Sequence, residues 1–495
     1  MKTIALLLPN GWGIKNYLLT DFLPTLNGRA HIIALTPLFE HPPLKTVFRE
    51  TPVVLEKLDV RPLKSWARHT DDFFVLAQYY RQPTTLTRLF LHYQQARSRG
   101  MSRTIRGIKR LLAGTIGIGI PMEVQTFLEK RMFGFHEEME RLKRVFRKHR
   151  VDLVFSTMPL IAYFERPALW AAQACGIPVA CAISSWDNLN SKGRLPIRFH
   201  HYLTWSDLMK EELLKKYPFI PPTSVTPVGP PQFDFYRRRD LLMERDAFFT
   251  SIGGDPARSL ILWAAVSPNQ YPNEPQIVEA FYKTLLEREG PRGPQVLVRA
   301  HPIGGIRRFE RLKETCPGIL LSETNPDDPT MLWKWTPSLD DVRLLVNSLY
   351  HASVTISNGS TMTLDACAMD RPVINVAYDL VPGSPMDGHI RSSFQYDHYQ
   401  SVLNLKAIRM AYSQEELFTH IQSYFRDPSL EAEGRRALLK LQCGDVDGHA
   451  ARRAAEALMR LFPPDDASAD AKALERESHA GLDPHHRSGA RLLSI

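Results

Sequence analysis

The sequence predicts an α/β protein built as two parallel-sheet halves facing a cleft, on three observations. Short apolar runs of strand length alternate with longer stretches of helical periodicity, and this happens twice over. A passage rich in proline and glycine, 225–234, separates the two series. In each series a strand runs into a compact polar loop, where parallel sheets place ligands.

Two such halves suit a chain of 495 residues. With 44% hydrophobic and 23% charged residues, it can bury a sizeable core. The first half opens with a strand over 4–8 and the turn Asn10-Gly11-Trp12-Gly13. A helix follows with Tyr17, Leu18, Phe22 and Leu23 on one face, then a strand over 30–35. Such a βαβ opening calls for a parallel sheet. Its Gly-x-Gly has no third glycine and no acidic partner at dinucleotide spacing, which argues against an NAD site. Gly11, Trp12 and Gly13 are read instead as lining an acceptor cleft.

Residues 38–150 are spotted with proline and then strongly basic, with Arg97, Arg99, Arg103, Arg106, Lys109 and Arg110. Phe90, Tyr93, Ile105, Ile108, Leu111 and Leu112 are interleaved with them. Two readings stand: a solvated face on a helical insertion, or a segment lying on an anionic membrane. One long helix is expected over 122–150. Clean alternation then resumes, with strands over 151–157, 178–183 and 201–205 and helices over 161–175 and 206–217.

In the second half, strands are expected over 260–265, 295–300, 319–322, 353–357 and 372–376. Helices lie between them at 275–288, 306–315, 339–350 and 361–369. A helix over 414–425 and a segment over 447–461 are read as packing back across both halves. The expected division is therefore a Rossmann-like acceptor domain at 1–234, with its basic insertion at about 80–150, and a Rossmann-like donor domain at 235–462. Residues 463–495 have few large apolar side chains and read as a disordered tail.

Composition narrows the chemistry. A formal charge of +9 suits phosphate-bearing ligands or an anionic membrane surface. No nucleic-acid-binding motif accompanies it, so no nucleic acid partner is expected. Five scattered cysteines without metal spacing indicate free thiols and a reducing cytoplasm. The apolar run at 4–8 is too short for a signal peptide, and the one at 111–122 is too short and glycine-broken to span a bilayer. A cytoplasmic protein is expected, with a peripheral place at the inner face of the membrane left open.

Three constellations carry candidate chemistry. The first is Ser357-Asn358-Gly359-Ser360-Thr361, a tight turn between a strand and a helix. Helix N–H groups and dipole there can hold an anion, Gly359 admits close approach, and Asp365 one turn on can accept sugar hydroxyls. The second is Trp186-Asp187-Asn188 with Lys192 and Gly193, after a strand end. Asp187 is the candidate general base, Lys192 an anion-holding cation, and Trp186 and Asn188 acceptor contacts. The third is Arg299-Ala300-His301-Pro302, where a cation can steady a leaving diphosphate. Ser267 and Asn269 are read as donor contacts. Asp379, Asp387 and His389 are weaker candidates, and Asp340-Asp341 reads as a helix cap.

The stretch from Ser353 to Asp379 resembles the donor half of GT-B fold glycosyltransferases. Within that superfamily, Trp186 with Lys192 and Gly193, Arg299-Ala300-His301-Pro302, and the 357–365 turn with Val376-Ala377-Tyr378-Asp379 look most like the CDP-glycerol glycerophosphotransferases and related surface-polysaccharide transferases. The likeness covers about two hundred residues. In those enzymes a histidine base follows the tryptophan; here Asp187 stands there, and Asn188 replaces a glycine. The Asn-Gly-Ser-Thr turn is nearer to sugar-nucleotide enzymes. The resemblance thus implies a metal-independent glycosyltransferase that needs no cofactor beyond its nucleotide-diphosphate-sugar. Its acceptor would be a cell-surface polysaccharide or lipid-linked precursor. Asp365 would bind ribose, Ser360 and Thr361 the diphosphate, and His301 the phosphate region. The alternatives are CDP-glycerol transfer, a sugar-nucleotide epimerase of the same fold, and a non-catalytic scaffold or membrane-recruiting subunit.

Overall fold

The computed structural model describes residues 1–40, 53–96, 101–268, 270–322, 335, 337–381, 383 and 385–462. Asn269, Asp327-Asp328, Arg97, Arg99 and the segment beyond 462 lie outside the described residues.

Two parallel sheets organise the chain. The first contains β1 (Lys2–Leu7), β2 (Ala30–Thr36), β3 (Val53–Lys57), β4 (Leu153–Ser156), β5 (Val179–Ala182), β6 (His201–Thr204) and β7 (Val225–Pro227). They run in the order β3-β2-β1-β4-β5-β6-β7. The second contains β8 (Leu260–Ala264), β9 (Gln295–Arg299), β10 (Leu320–Ser322), β11 (Val354–Ser357), β12 (Val373–Val376) and β13 (Arg409–Ala411), in the order β10-β9-β8-β11-β12-β13. Among the described residues every pairing is parallel. This is the GT-B architecture of two Rossmann-like sheets.

Parallel strands covered on both faces read as continuous apolar runs. In β1, Ile4 and Leu6 face a cluster with Phe22, Phe155 and Leu458, while Ala5 and Leu7 face the opposite one. Leu458 belongs to the helix Ala450–Met459, whose Ala451, Ala454 and Ala455 pack on the first sheet. The chain therefore ends its described course on the half where it began. Small alanines let that helix approach the sheet closely. Asp234 fastens its start, accepting from Ala450 N at 2.9 Å and Ala451 N at 2.8 Å. Burial raises the Asp234 pKa to about 6. The Pro-rich passage between the halves is thus buried and tied down, with Phe233, Phe235 and Tyr236 inside.

Several elements differ from the sequence expectation. Residues 122–150 form two helices, Met122–Met132 and His136–Lys148, because Gly134 adopts φ +69° between them. The helix Gly11–Leu18 takes in three residues of the expected turn: Asn10 takes an extended conformation and its side chain accepts from Trp12 N and Gly13 N. Gly11, Trp12 and Gly13 are a helical first turn, not a loop. β3, β7, β13 and the helix Ala432–Cys443 had no sequence counterpart. β7 and β13 are three residues each, too short for a period-2 signal.

Candidate active site

Strand order reverses direction between β1 and β4 in the first sheet and between β8 and β11 in the second. Ligands bind at such switch points in open α/β sheets, outside the carboxyl ends of the strands. Here both open into one cavity of about 300 Å³. Trp12 and Lys15 follow β1, Met158 follows β4, Ala265 follows β8, and Ser360 and Thr361 follow β11.

The wall from the first half holds Asp187. Ser185 Oγ donates to its Oδ1 at 2.6 Å, Asn188 Nδ2 to the same oxygen at 3.2 Å, and Ser191 Oγ to its Oδ2 at 2.5 Å. Burial works to raise the Asp187 pKa, but Lys192, His398 and the serine hydroxyls together hold it below the usual value. It is a fixed carboxylate facing the cavity. Asn188 and Lys192 line the cavity beside it. Trp186 does not. It is buried, with its ring 5.0 Å from His398 and 5.9 Å from Tyr399 of the other half. The indole is packing between the halves rather than an open acceptor contact.

The facing wall holds Asp365, Arg299 and His301. Tyr236 Oη donates to Asp365 Oδ1 at 2.5 Å. Burial pushes the Asp365 pKa up to about 6, against the pull of Lys15 and Arg299. Arg299 pairs with Asp341 at 2.8 Å and reaches Ser322 Oγ at 3.4 Å. His301 Nδ1 accepts from Ile303 N at 3.0 Å. Burial pushes the imidazole down to about 4, so at neutral pH it is uncharged. With Nδ1 accepting, its proton sits on Nε2. The cation expected at His301 is a neutral donor; the guanidinium of this wall is Arg299, paired with Asp341.

The 357–365 turn divides into two functions. Ser360 and Thr361 line the cavity; Asn358 and Gly359 do not. Asn358 Nδ2 donates to Val376 O at 2.6 Å, pinning β11 to the end of β12. Gly359 sits at φ +58° with its N–H on Asn375 Oδ1 at 3.3 Å. The helix that follows, Met362–Ala368, has seven residues. Its first N–H groups are satisfied locally: Met362 N by Ser360 Oγ, Thr363 N by Ser360 O, and Leu364 N and Asp365 N by Thr361 O. Anion-holding capacity at the turn therefore rests on the Ser360 and Thr361 hydroxyls more than on the helix start. Ser267 lies outside the cavity lining; its carbonyl accepts from Gln270 N and Tyr271 N. Asp379 also lies outside, accepting from Asn273 Nδ2 and Leu380 N.

At the mouth, Trp12 meets Trp335 edge-on at 5.4 Å. A Cβ on Gly11 would collide with the Trp335 carbonyl oxygen and Pro337 Cδ, and one on Gly13 would lie 2.9 Å from Thr157 Oγ1. Gly11 lets the two halves touch, whereas Gly13 lets the helix lie close to Leu8 and Thr157 of its own half; of the trio only Trp12 lines the cavity.

Sequence reasoning missed Lys15, Tyr236 and Asp341. Lys15 lies four residues after Gly11 on the same helix face, a spacing that places it at the same rim once the helix is known to start at Gly11. Burial lowers its pKa, opposed by Asp365 and Asp341. Asp341 does sit in a capped first turn, its N–H on Ser338 Oγ at 3.1 Å, but its carboxylate turns to Arg299.

No protein-family model matches the chain, and no curated protein matches it. Solved structures do share its fold. A UDP-GlcNAc 2-epimerase from Neisseria meningitidis, bound to UDP-GlcNAc, aligns with TM-score 0.52 at 12% identity, over 93% of this chain and 100% of that one. The S. aureus MnaA–UDP structure aligns with TM-score 0.52 at 10% identity, over 92% and 95%. At such identities the likeness is one of fold.

Proposed function

We propose that this protein is a GT-B glycosyltransferase. It would move a sugar from a nucleotide-diphosphate-sugar to a hydroxyl of a cell-surface polysaccharide or lipid-linked precursor. One observation carries the reading: both switch points open into a single cavity with an ionised carboxylate, Asp187, on one wall and hydroxyl, imidazole and carboxyl groups on the other.

In this reading the acceptor hydroxyl oxygen bonds to the anomeric carbon of the donor. Its proton passes to Asp187, already held as a base by Lys192 nearby. The bond from the anomeric carbon to the diphosphate oxygen breaks, and the diphosphate leaves with the electron pair. The His301 Nε2–H, the Ser360 and Thr361 hydroxyls and the Lys15 ammonium receive the charge that develops. Asp365, aligned by Tyr236, accepts the ribose hydroxyls.

A second reading has its own support. Asp187, Asp341 and Asp365 all line the cavity, and of the two solved structures named above one is a UDP-GlcNAc 2-epimerase bound to UDP-GlcNAc and the other holds UDP. An epimerase needs groups that remove and return protons on the donor sugar itself. One experiment separates the two. The protein is incubated in deuterium oxide with UDP-GlcNAc and other nucleotide-sugars, without acceptor, and the sugar is followed by NMR. Deuterium entering the sugar ring, with a new epimer, would replace transfer by epimerisation. An unchanged donor, together with a nucleotide-dependent thermal shift in a panel of UDP, GDP, CDP, dTDP and CDP-glycerol, supports transfer. The panel also names the base, and a shift with CDP-glycerol above CDP would favour the glycerophosphate variant.

A further inference from the structure

Among the described residues, the densest group of exposed large apolar side chains lies in one place. Ile105, Ile108, Leu111, Ile116 and Phe127 are each more than half exposed, and Val124 is 45% exposed. They lie on the helix Met101–Thr115, the short turn after it, and the helix Met122–Met132. Ile105, Ile108 and Leu112 on the first of these, with Ile116 just past its end, recur every three to four residues, so they form one outward stripe. The other side of the hairpin is seated on the helix Ser65–Arg81. Gly114 meets the Tyr80 ring and Gly117 meets the Ala77 Cβ, close approaches that hold the hairpin down while its apolar stripe faces out. Lys109 ties it further through Asp72 at 3.1 Å. A well-seated helix with a contiguous apolar outer face marks an interaction surface.

We infer that this hairpin docks the protein on an anionic lipid bilayer. Charge decides the occupant. The helix 101–115 has no acidic residue; Arg106 is exposed on it, while Lys109 and Arg110 are half-buried, held by Asp72 and the Leu91 carbonyl. Lys130 and Arg131 stand on the second helix, where Glu129 is buried against Arg166 and Arg194 and only Glu123 is exposed. An apolar stripe with a basic border fits acyl chains under anionic headgroups. A second copy of the chain fits it badly, because a two-fold contact through this face would bring the same basic residues together.

The place of the hairpin gives docking a purpose. The helix beneath it reaches the acceptor wall, where Val75 Cγ2 lies against Gly193 at the end of the Asp187 loop. Docking would thus hold that wall near the bilayer and present a lipid-linked hydroxyl to it. This use of the surface rests on the glycosyltransferase reading; the docking itself does not.

The test is co-sedimentation of the full chain with vesicles of phosphatidylcholine containing about a third phosphatidylglycerol, against pure phosphatidylcholine, with no nucleotide or acceptor present. Binding is expected only to the anionic vesicles and weakens as salt rises. Leu111→Asp with Ile116→Asp should lower the bound fraction at least about tenfold. Arg106→Glu should lower it less, and the Leu111→Asp, Ile116→Asp variant should keep the wild-type thermal midpoint because those side chains are exposed. Absence of binding to anionic vesicles at low salt would overturn the inference. So would a dimer in light scattering that the Leu111→Asp, Ile116→Asp variant dissolves, since a second copy would then own the face. Because no step needs turnover, loss of the transferase reading would leave this result standing, and the converse holds.

Discussion

Asp187 and Asp365 stand on facing walls of the cavity, and their surroundings push them in opposite directions. Asp187 lies among Ser185, Ser191 and Lys192 and stays ionised. Asp365 lies under Tyr236, almost out of solvent, and holds its proton up to about pH 6. One side chain type thus supplies an ionised carboxylate on one wall and a titrating hydrogen-bond partner on the other. Environments that drive a pair of carboxyls apart in this way are how a site assigns roles to like groups. The contrast teaches that hydroxyl donors, Lys192 and His398 outweigh burial at Asp187, whereas one phenol, Lys15 and Arg299 do not at Asp365.

The comparison breaks first at Asp187. Asp187→Asn keeps the shape and loses the base, so kcat should fall by about 10²–10⁴-fold while nucleotide binding holds. Wild-type turnover after this substitution would remove Asp187 from the chemistry. Next is His301. His301→Gln should lower kcat by up to about 10²-fold, and the pH–rate profile between pH 5 and 8 should keep its shape, because the imidazole is already neutral there. A limb near pH 6 that disappears in the variant would show an imidazolium at work.

Asp365 sharpens the comparison through its sign. Its folded pKa lies above the ordinary 3.8, so the folded chain holds the proton more tightly than the unfolded chain. Stability from this group is present below about pH 4 and is lost as pH rises through 6. The difference of about two pH units corresponds to about 3 kcal/mol. Asp365→Asn, which imitates the protonated form, should therefore gain on the wild type by up to that amount between pH 4 and 7 in denaturant melts. Nucleotide affinity should rise through about pH 6 in the wild type and stay flat in the variant. Asp187 acts with the opposite sign: its depressed pKa stabilises the fold at neutral pH, and that contribution is lost as acid protonates it. The smallest effect is expected at Gly11. Gly11→Ala forces Trp335 and Pro337 aside, costing about 1–3 kcal/mol in thermal stability and loosening contact between the halves. An unchanged midpoint would mean that Trp335 yields freely.

Much of the framework was legible in the chain. β1, β4, β5, β8, β9, β11 and β12 are buried on both faces, and continuous apolar runs announce that. β13 is only three residues, and its partners lie far away in sequence. Asp187, Lys192, His301 and Asp365 were legible as polar residues at strand ends. Lys15 was not, because its meaning depends on Asn10 starting the helix at Gly11. Asp341 was read from its place in a first turn, and local sequence carries no sign that Arg299, forty-two residues away, claims its carboxylate.

Taken alone, the sequence determined two parallel sheets, the break between them and which strand ends are polar, because periodicity and turn chemistry act over a few residues. Tertiary structure decided which of those polar groups share a cavity, and sent Trp186, Asn358 and Gly359 into packing and backbone support. It also decided the charge of each group, because an aspartate or a histidine takes its pKa from neighbours brought in by the fold. The same holds for the exposed stripe at 105–116. Its apolar residues are plain in the sequence, but only the seating of the opposite side on the helix Ser65–Arg81 shows which face is left for a partner.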